Sequence, residues 1–93
     1  ESENVVAFRD INPVAPTHIL VIPRKHIASL AQLETEDGSL MGEIMLSIKK
    51  LAEQEGLADG FRVVANTGRD GVQSVNHLHF HLLGGRSLQW PPG

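Results

Sequence analysis

Cysteine is missing from this chain, which removes disulfide frameworks, thiolate metal sites and cysteine nucleophiles from consideration. That absence suits a reducing compartment, and the cytoplasm is the expected location. Positive charge is also in short supply: eleven Asp and Glu against eight Lys and Arg leave a net charge of -3. A domain built to hold nucleic-acid phosphates carries the opposite sign, so nucleic acid is not an expected partner. No apolar run approaches the roughly 18 residues that a membrane span requires, and no signal peptide is visible. A membrane is therefore not an expected partner either. The first residue is Glu1 rather than Met, so the expectation allows for a targeting segment lost ahead of it.

What is present is an ordinary globular composition. Hydrophobic residues make up 41% and charged residues 20%, with a mean hydropathy of -0.10, which excludes disordered, collagen-like and membrane-spanning classes. A chain of 93 residues buries only about 60–65% of its unfolded surface, enough for one core and not for two.

Val5-Val6-Ala7-Phe8 and His18-Ile19-Leu20-Val21-Ile22 read as strands, separated by a loop bracketed by Pro13 and Pro16 and ended by Pro23. Arg24-Lys25-His26 reads as a solvated turn, with approach to a phosphate as the alternative, and His26 takes no further role. From Ser39 to Glu55 the residues Leu40, Met41, Ile44, Met45, Ile48, Leu51 and Ala52 recur at spacings of three and four, which predicts an amphipathic helix. Asp37 and Ser39 are both acceptable N-caps, and Gly56-Leu57 fits a C-terminal cap. Phe61–Ala65 and the alternating His77–Leu83 read as a further antiparallel pair of strands, joined by the polar, glycine-bearing stretch 66–76. Strand pairs on either side of one long helix give an α+β fold, with the helix packed on one face of an antiparallel sheet.

Three of the five histidines fall in His77-Leu78-His79-Phe80-His81. On an extended strand their side chains line one face, with Leu78, Phe80 and Leu82 on the other, and the outer two start about 13 Å apart at four strand rises. Imidazole titrates near neutrality, and mutual repulsion along such a row holds at least one ring neutral, fit to serve as base, nucleophile or metal ligand. Upstream, the glycines of Asn66-Thr67-Gly68-Arg69-Asp70-Gly71-Val72-Gln73-Ser74 let backbone amides turn toward an anion, while Asn66, Gln73 and Ser74 offer donors. The stretch lacks the Gly-Lys-Ser/Thr ending of a Walker loop. From residue chemistry alone three readings stay open: phosphoryl-type catalysis, a zinc site built from His77, His79 and His18, and a structural or regulatory row.

The run His77-Leu78-His79-Phe80-His81-Leu82-Leu83 matches the signature of the histidine-triad family, and the resemblance extends over nearly the whole chain. Phe8-Arg9-Asp10-Ile11-Asn12-Pro13, Ala15-Pro16-Thr17-His18, Ile22-Pro23-Arg24-Lys25-His26, Gly71-Val72-Gln73-Ser74-Val75 and the ending Trp90-Pro91-Pro92-Gly93 resemble its Hint branch. The resemblance implies one histidine-triad domain over residues 1–93, a sheet continued across a homodimer, and hydrolysis of purine nucleoside 5′-phosphoramidates through a nucleotidyl-histidine intermediate. It implies no metal and no other cofactor.

By the same carry-over His79 is the nucleophile, with its other ring nitrogen donating to a backbone carbonyl. His81 and Ser74 hold phosphoryl oxygens, helped by backbone amides near Val72 and Gln73, and His77 and His18 complete the histidine cluster. Asp10 receives the ribose hydroxyls, Ile11 and Phe8 wall the base, Asn66 is a donor on the phosphate or ribose side, and Trp90 approaches the partner subunit's site. Two departures stand out: Val72 occupies a position where relatives often have glycine, and the N-terminal helix and strand usual in the family are not in this sequence.

Overall fold

The computed structural model describes residues 2–93 and contains the expected α+β arrangement. Its strands are β1 (Val5–Arg9), β2 (Thr17–Pro23), β3 (Phe61–Val64) and β4 (Phe80–Gly84), and its long helix is α1 (Gly38–Gln54). The four strands form one antiparallel sheet in the order β1-β2-β4-β3. Among the described residues no helix is long and apolar enough to cross a membrane.

Side chains alternate across a strand, so each strand sorts its residues between the two faces of the sheet. Val5, Ile19, Val21, Phe80 and Leu82 are buried against Ile44, Ile48 and Ala52, which recur every fourth residue along α1. Register partners share a face, and the opposite face carries Phe8, Leu20, His81 and Val64 in a line across all four strands. The apolar face thus makes the core and leaves the other face to the histidines. At the β3 edge, Phe61 and Val63 remain exposed.

The C-terminal end of α1 follows its sequence signal. Gly56 adopts φ +71, a conformation that costs a side-chain-bearing residue about 1–2 kcal/mol. From there its N–H bonds Glu53 O and that of Leu57 bonds Ala52 O, at 3.2 and 3.0 Å, a Schellman motif. The start of the helix departs from expectation, since neither Asp37 nor Ser39 caps it. Asp37 is buried and instead takes the Lys25 ammonium at 2.5 Å and the Glu34 N–H at 2.9 Å. The hydrogen bond from Lys25 and the one from Glu34 N–H hold the Asp37 carboxyl below its ordinary range. A short 3-10 turn over Thr35–Asp37 then leads into α1.

A second correction concerns β4, which begins at Phe80 rather than His77. Continuing the register from Val21 opposite Phe80 would set Leu78 opposite Pro23, which has no N–H to give to a ladder. The Leu78 N–H turns instead to Ile27 O at 2.7 Å. Alternation survives the end of the ladder: Leu78, Phe80 and Leu82 are buried while His77, His79 and His81 stay half-buried.

Candidate active site

The stretch before the histidines is a closed loop held by its own amides. The N–H groups of Val72 and Gln73 donate to Arg69 O and Gly68 O at 3.1 and 3.0 Å. Asn66 Nδ2 donates to Gly71 O at 2.7 Å. Gln73 Nε2 donates to Ala28 O at 2.7 Å and Val75 O at 3.0 Å, while its Oε1 accepts from Gly68 N at 3.2 Å. In this structure these groups hold the turn that carries Ser74, which is itself exposed. Val72 sits at φ +60, a left-handed conformation that is strained for a β-branched residue. Gly71 has no room for a side chain, because a Cβ there would run into the Thr67 backbone.

The five histidines are arranged by hydrogen bonds that settle where each proton sits. His79 Nδ1 lies 2.7 Å from His77 O. A carbonyl only accepts, so Nδ1 carries the proton and Nε2 keeps a free lone pair. This is the backbone contact expected for the central histidine. His77 Nε2 lies 2.9 Å from Pro23 O and carries its proton by the same argument. His18 is buried, and its Nδ1 accepts from Val14 N at 3.2 Å, so its proton is on Nε2 and is donated to His81 Nδ1 at 2.9 Å. His81 in turn holds its proton on Nε2. Burial, followed by the neighbouring His79 and His18, pushes the His81 imidazole below its ordinary range, against an opposing pull from Asp10.

Across the sheet, β2 supplies His18 and β4 supplies His81, and their rings lie 5.2 Å apart; the His79 and His81 rings have the same separation. Asp10, just beyond β1, brings Oδ2 to 3.5 Å from His18 Nε2, while its Oδ1 accepts from Asn12 N at 2.8 Å. The result is a lone pair at His79 Nε2 beside a neutral donor at His81, with an acid at the far end of the chain. Nucleophilic attack on an electrophilic centre that carries anionic oxygens is chemistry this set can perform.

Next to the histidines lies an apolar cleft of about 300 Å³ lined by Phe8, Leu20, Ile22, Val75, His77 and His79. Phe8 is thus a wall of the cleft and no part of the core. Ile11 is 91% exposed and is not among the lining residues. Leu20, Ile22 and Val75 were not anticipated here. The signal for the first two was their alternation with the buried Ile19 and Val21, which puts them on the His18 face. Trp90 is 79% exposed and so does not fold back onto its own chain, while the preceding Gln89 O accepts from Arg62 at 2.8 Å.

The zinc set read from spacing is not the one that assembles. Among the described residues, the group whose ligand atoms converge within 4.8 Å is Asp10, His18 and His81. Ligand nitrogens about 2.0–2.1 Å from a tetrahedral metal stand about 3.3–3.4 Å apart. His18 and His81 face each other at 2.9 Å, and the other His18 nitrogen is occupied by Val14 N–H. In this arrangement His18 and His81 share a proton, and the three groups converge closely enough to be the candidate ligands should a cation bind.

A family model described as HIT domain matches residues 1–88. The chain is 55% identical over 93 residues to an uncharacterized HIT-like protein of Synechococcus elongatus, covering all of this chain and 82% of that one. It is 54% identical over 95 residues to a 14 kDa zinc-binding protein of Zea mays, covering all of this chain and 74% of that protein. Among solved structures, a HIT family hydrolase from Legionella pneumophila superposes with a TM-score of 0.98 at 51% identity, over all of this chain and 84% of that one.

Proposed function

The chain belongs to the HIT domain family, and from that membership we propose that it is a hydrolase of the Hint type, cleaving the P–N bond of purine nucleoside 5′-phosphoramidates. The observation that carries the reading is the His79 imidazole. Its Nδ1–H is tied to His77 O at 2.7 Å, which leaves the lone pair on Nε2, and His79 lines the apolar cleft. In the first step Nε2 attacks the α-phosphorus of a phosphoramidate protonated on its nitrogen, the P–N bond breaks with its electron pair going to that nitrogen, and the amine departs neutral. The imidazolium that results is stabilised through Nδ1–H, whose bond to the carbonyl becomes charge-assisted. In the second step water attacks phosphorus, the P–N bond to His79 breaks with its electron pair returning to Nε2, and the nucleoside 5′-monophosphate leaves while one proton of the water passes to solvent. His81 Nε2–H and the Ser74 hydroxyl donate to phosphoryl oxygens in both steps.

The cleft bounded by Phe8, Leu20, Ile22 and Val75 receives the base, and Asp10 accepts from the ribose hydroxyls. Two copies associate through the β3 edge, with support from the exposed Phe61, Val63 and Trp90. The ending Trp90-Pro91-Pro92-Gly93 supports the Hint branch over its relatives.

The test is intact mass after brief mixing with adenosine 5′-phosphoramidate, quenched in alkali to preserve a phosphorus–histidine bond, with and without chelator. We expect a nucleotidyl adduct in both arms, none in His79→Ala, and turnover in that variant lower by at least about 10³-fold with AMP affinity kept within a few-fold. Near-wild-type turnover of His79→Ala, or an adduct that requires metal, overturns the proposal.

A further inference from the structure

The geometry points to His26 as a positioning residue for His79, acting through His77; the inference rests on the nucleophilic role proposed for His79. His26 Nδ1 lies 3.1 Å from His77 Nδ1, with ring centroids 5.1 Å apart. Because the other His77 nitrogen donates to Pro23 O, His77 Nδ1 holds a lone pair, and the proton between the rings belongs to His26. The His77 ring is therefore gripped at both nitrogens, by a carbonyl on one side and by His26 on the other.

The peptide unit after His77 is held just as closely. In a planar trans peptide the C=O and the following N–H point in opposite directions. On one side the Leu78 N–H donates to Ile27 O at 2.7 Å, and on the other the His77 carbonyl accepts from His79 Nδ1 at 2.7 Å. The group that fixes the nucleophile's tautomer is thus clamped by consecutive residues, His26 through its ring and Ile27 through its backbone. His26 is exposed, so packing does not account for its alignment. Without its donor, the His77 ring is held at one end and turns, the 77–78 peptide loosens, and His79 loses a fixed acceptor. A fraction of His79 then carries its proton on Nε2, where it cannot attack.

The experiment compares wild type, His26→Phe and His26→Asn by side-chain ¹⁵N NMR of the imidazoles and by steady-state kinetics on adenosine 5′-phosphoramidate. Phe keeps the ring and removes the donor, whereas the Asn Nδ2–H stands near the position of the lost Nδ1–H. In wild type and His26→Asn we expect His79 as the Nδ1–H tautomer alone, and in His26→Phe a mixture. The kcat of His26→Phe should fall about ten-fold with KM within about three-fold, and that of His26→Asn should recover to within about three-fold of wild type. An unchanged His79 tautomer in His26→Phe, or equal losses in the two variants, overturns the inference. If wild type itself forms no adduct and turns nothing over, the hydrolase reading fails, and the clamp is judged on the ring shifts alone.

Discussion

Replacing Gln73 separates a residue that holds the loop from one that holds substrate. Its carboxamide makes three bonds, to Ala28 O at 2.7 Å, to Val75 O at 3.0 Å and from Gly68 N at 3.2 Å. A net hydrogen bond contributes about 0.5–1.5 kcal/mol, and the partly exposed position calls for the lower half of that range, so Gln73→Ala should cost about 2 kcal/mol. With a urea dependence of about 1–2 kcal/mol per molar for a domain of this size, the midpoint should fall by about 1–2 M. The transition is best followed by circular dichroism of α1, because Trp90 is 79% exposed and reports little of folding. Gln73→Glu should be less stable than Gln73→Ala, since it sets a carboxylate against two carbonyls that now have a donor. Both variants should also lower kcat, because the turn that carries Ser74 is no longer tied to Ala28. A stability within about 0.5 kcal/mol of wild type, with the whole effect in KM, would refute the argument and restore Gln73 to the substrate.

Two further outcomes follow from burial. The half-buried His81 has its pKa below the ordinary histidine value, so the unfolded chain binds more protons in the window between the two. Stability should fall as pH drops below about 6.5 and stop falling once the folded value is passed. His81→Gln should flatten that slope in thermal melts between pH 7.5 and 5, and an unaltered slope would assign the effect to other groups. Ile44 is 0% exposed beneath the sheet, and Ile44→Ala should cost about 2–5 kcal/mol. At about 4–8 °C per kcal/mol for a domain of this size, calorimetry should show Tm lower by about 8 °C or more, and a loss under about 5 °C would mean that the core closes over the gap.

Much of the architecture was legible because it is written in local periodicity. The spacing of Ile44, Ile48 and Ala52, the Gly56-Leu57 cap and the alternation through Leu78, Phe80 and Leu82 are each properties of neighbours in the chain, and each appears in the fold. The His79 contact with a backbone carbonyl, implied by the family resemblance, is likewise a short-range bond, two residues long. The start of β4 was misjudged because it depends on Pro23, which lies in a different strand. For Gln73 and Asn66 the sequence declares a capacity to donate and not a partner, and the carbonyls of Ala28, Val75 and Gly71 that accept from them appear only in the fold.

The sequence by itself determined which residues face inward, apart from Met45, which its spacing assigned to the core and which is exposed, where α1 ends, and that three imidazoles share one side of a chain segment. Only the tertiary structure decided their chemistry. It joined His18 to His81 across 63 positions and His26 to His77 across 51, and it lined the cleft from β1, β2 and the loop before β4. The reason is physical: side-chain period follows from backbone geometry within a strand or helix, whereas the proton on a histidine is set by the atom that faces it. In this fold that atom comes from another element for every histidine but His79 and His18, whose Nδ1 contacts are local.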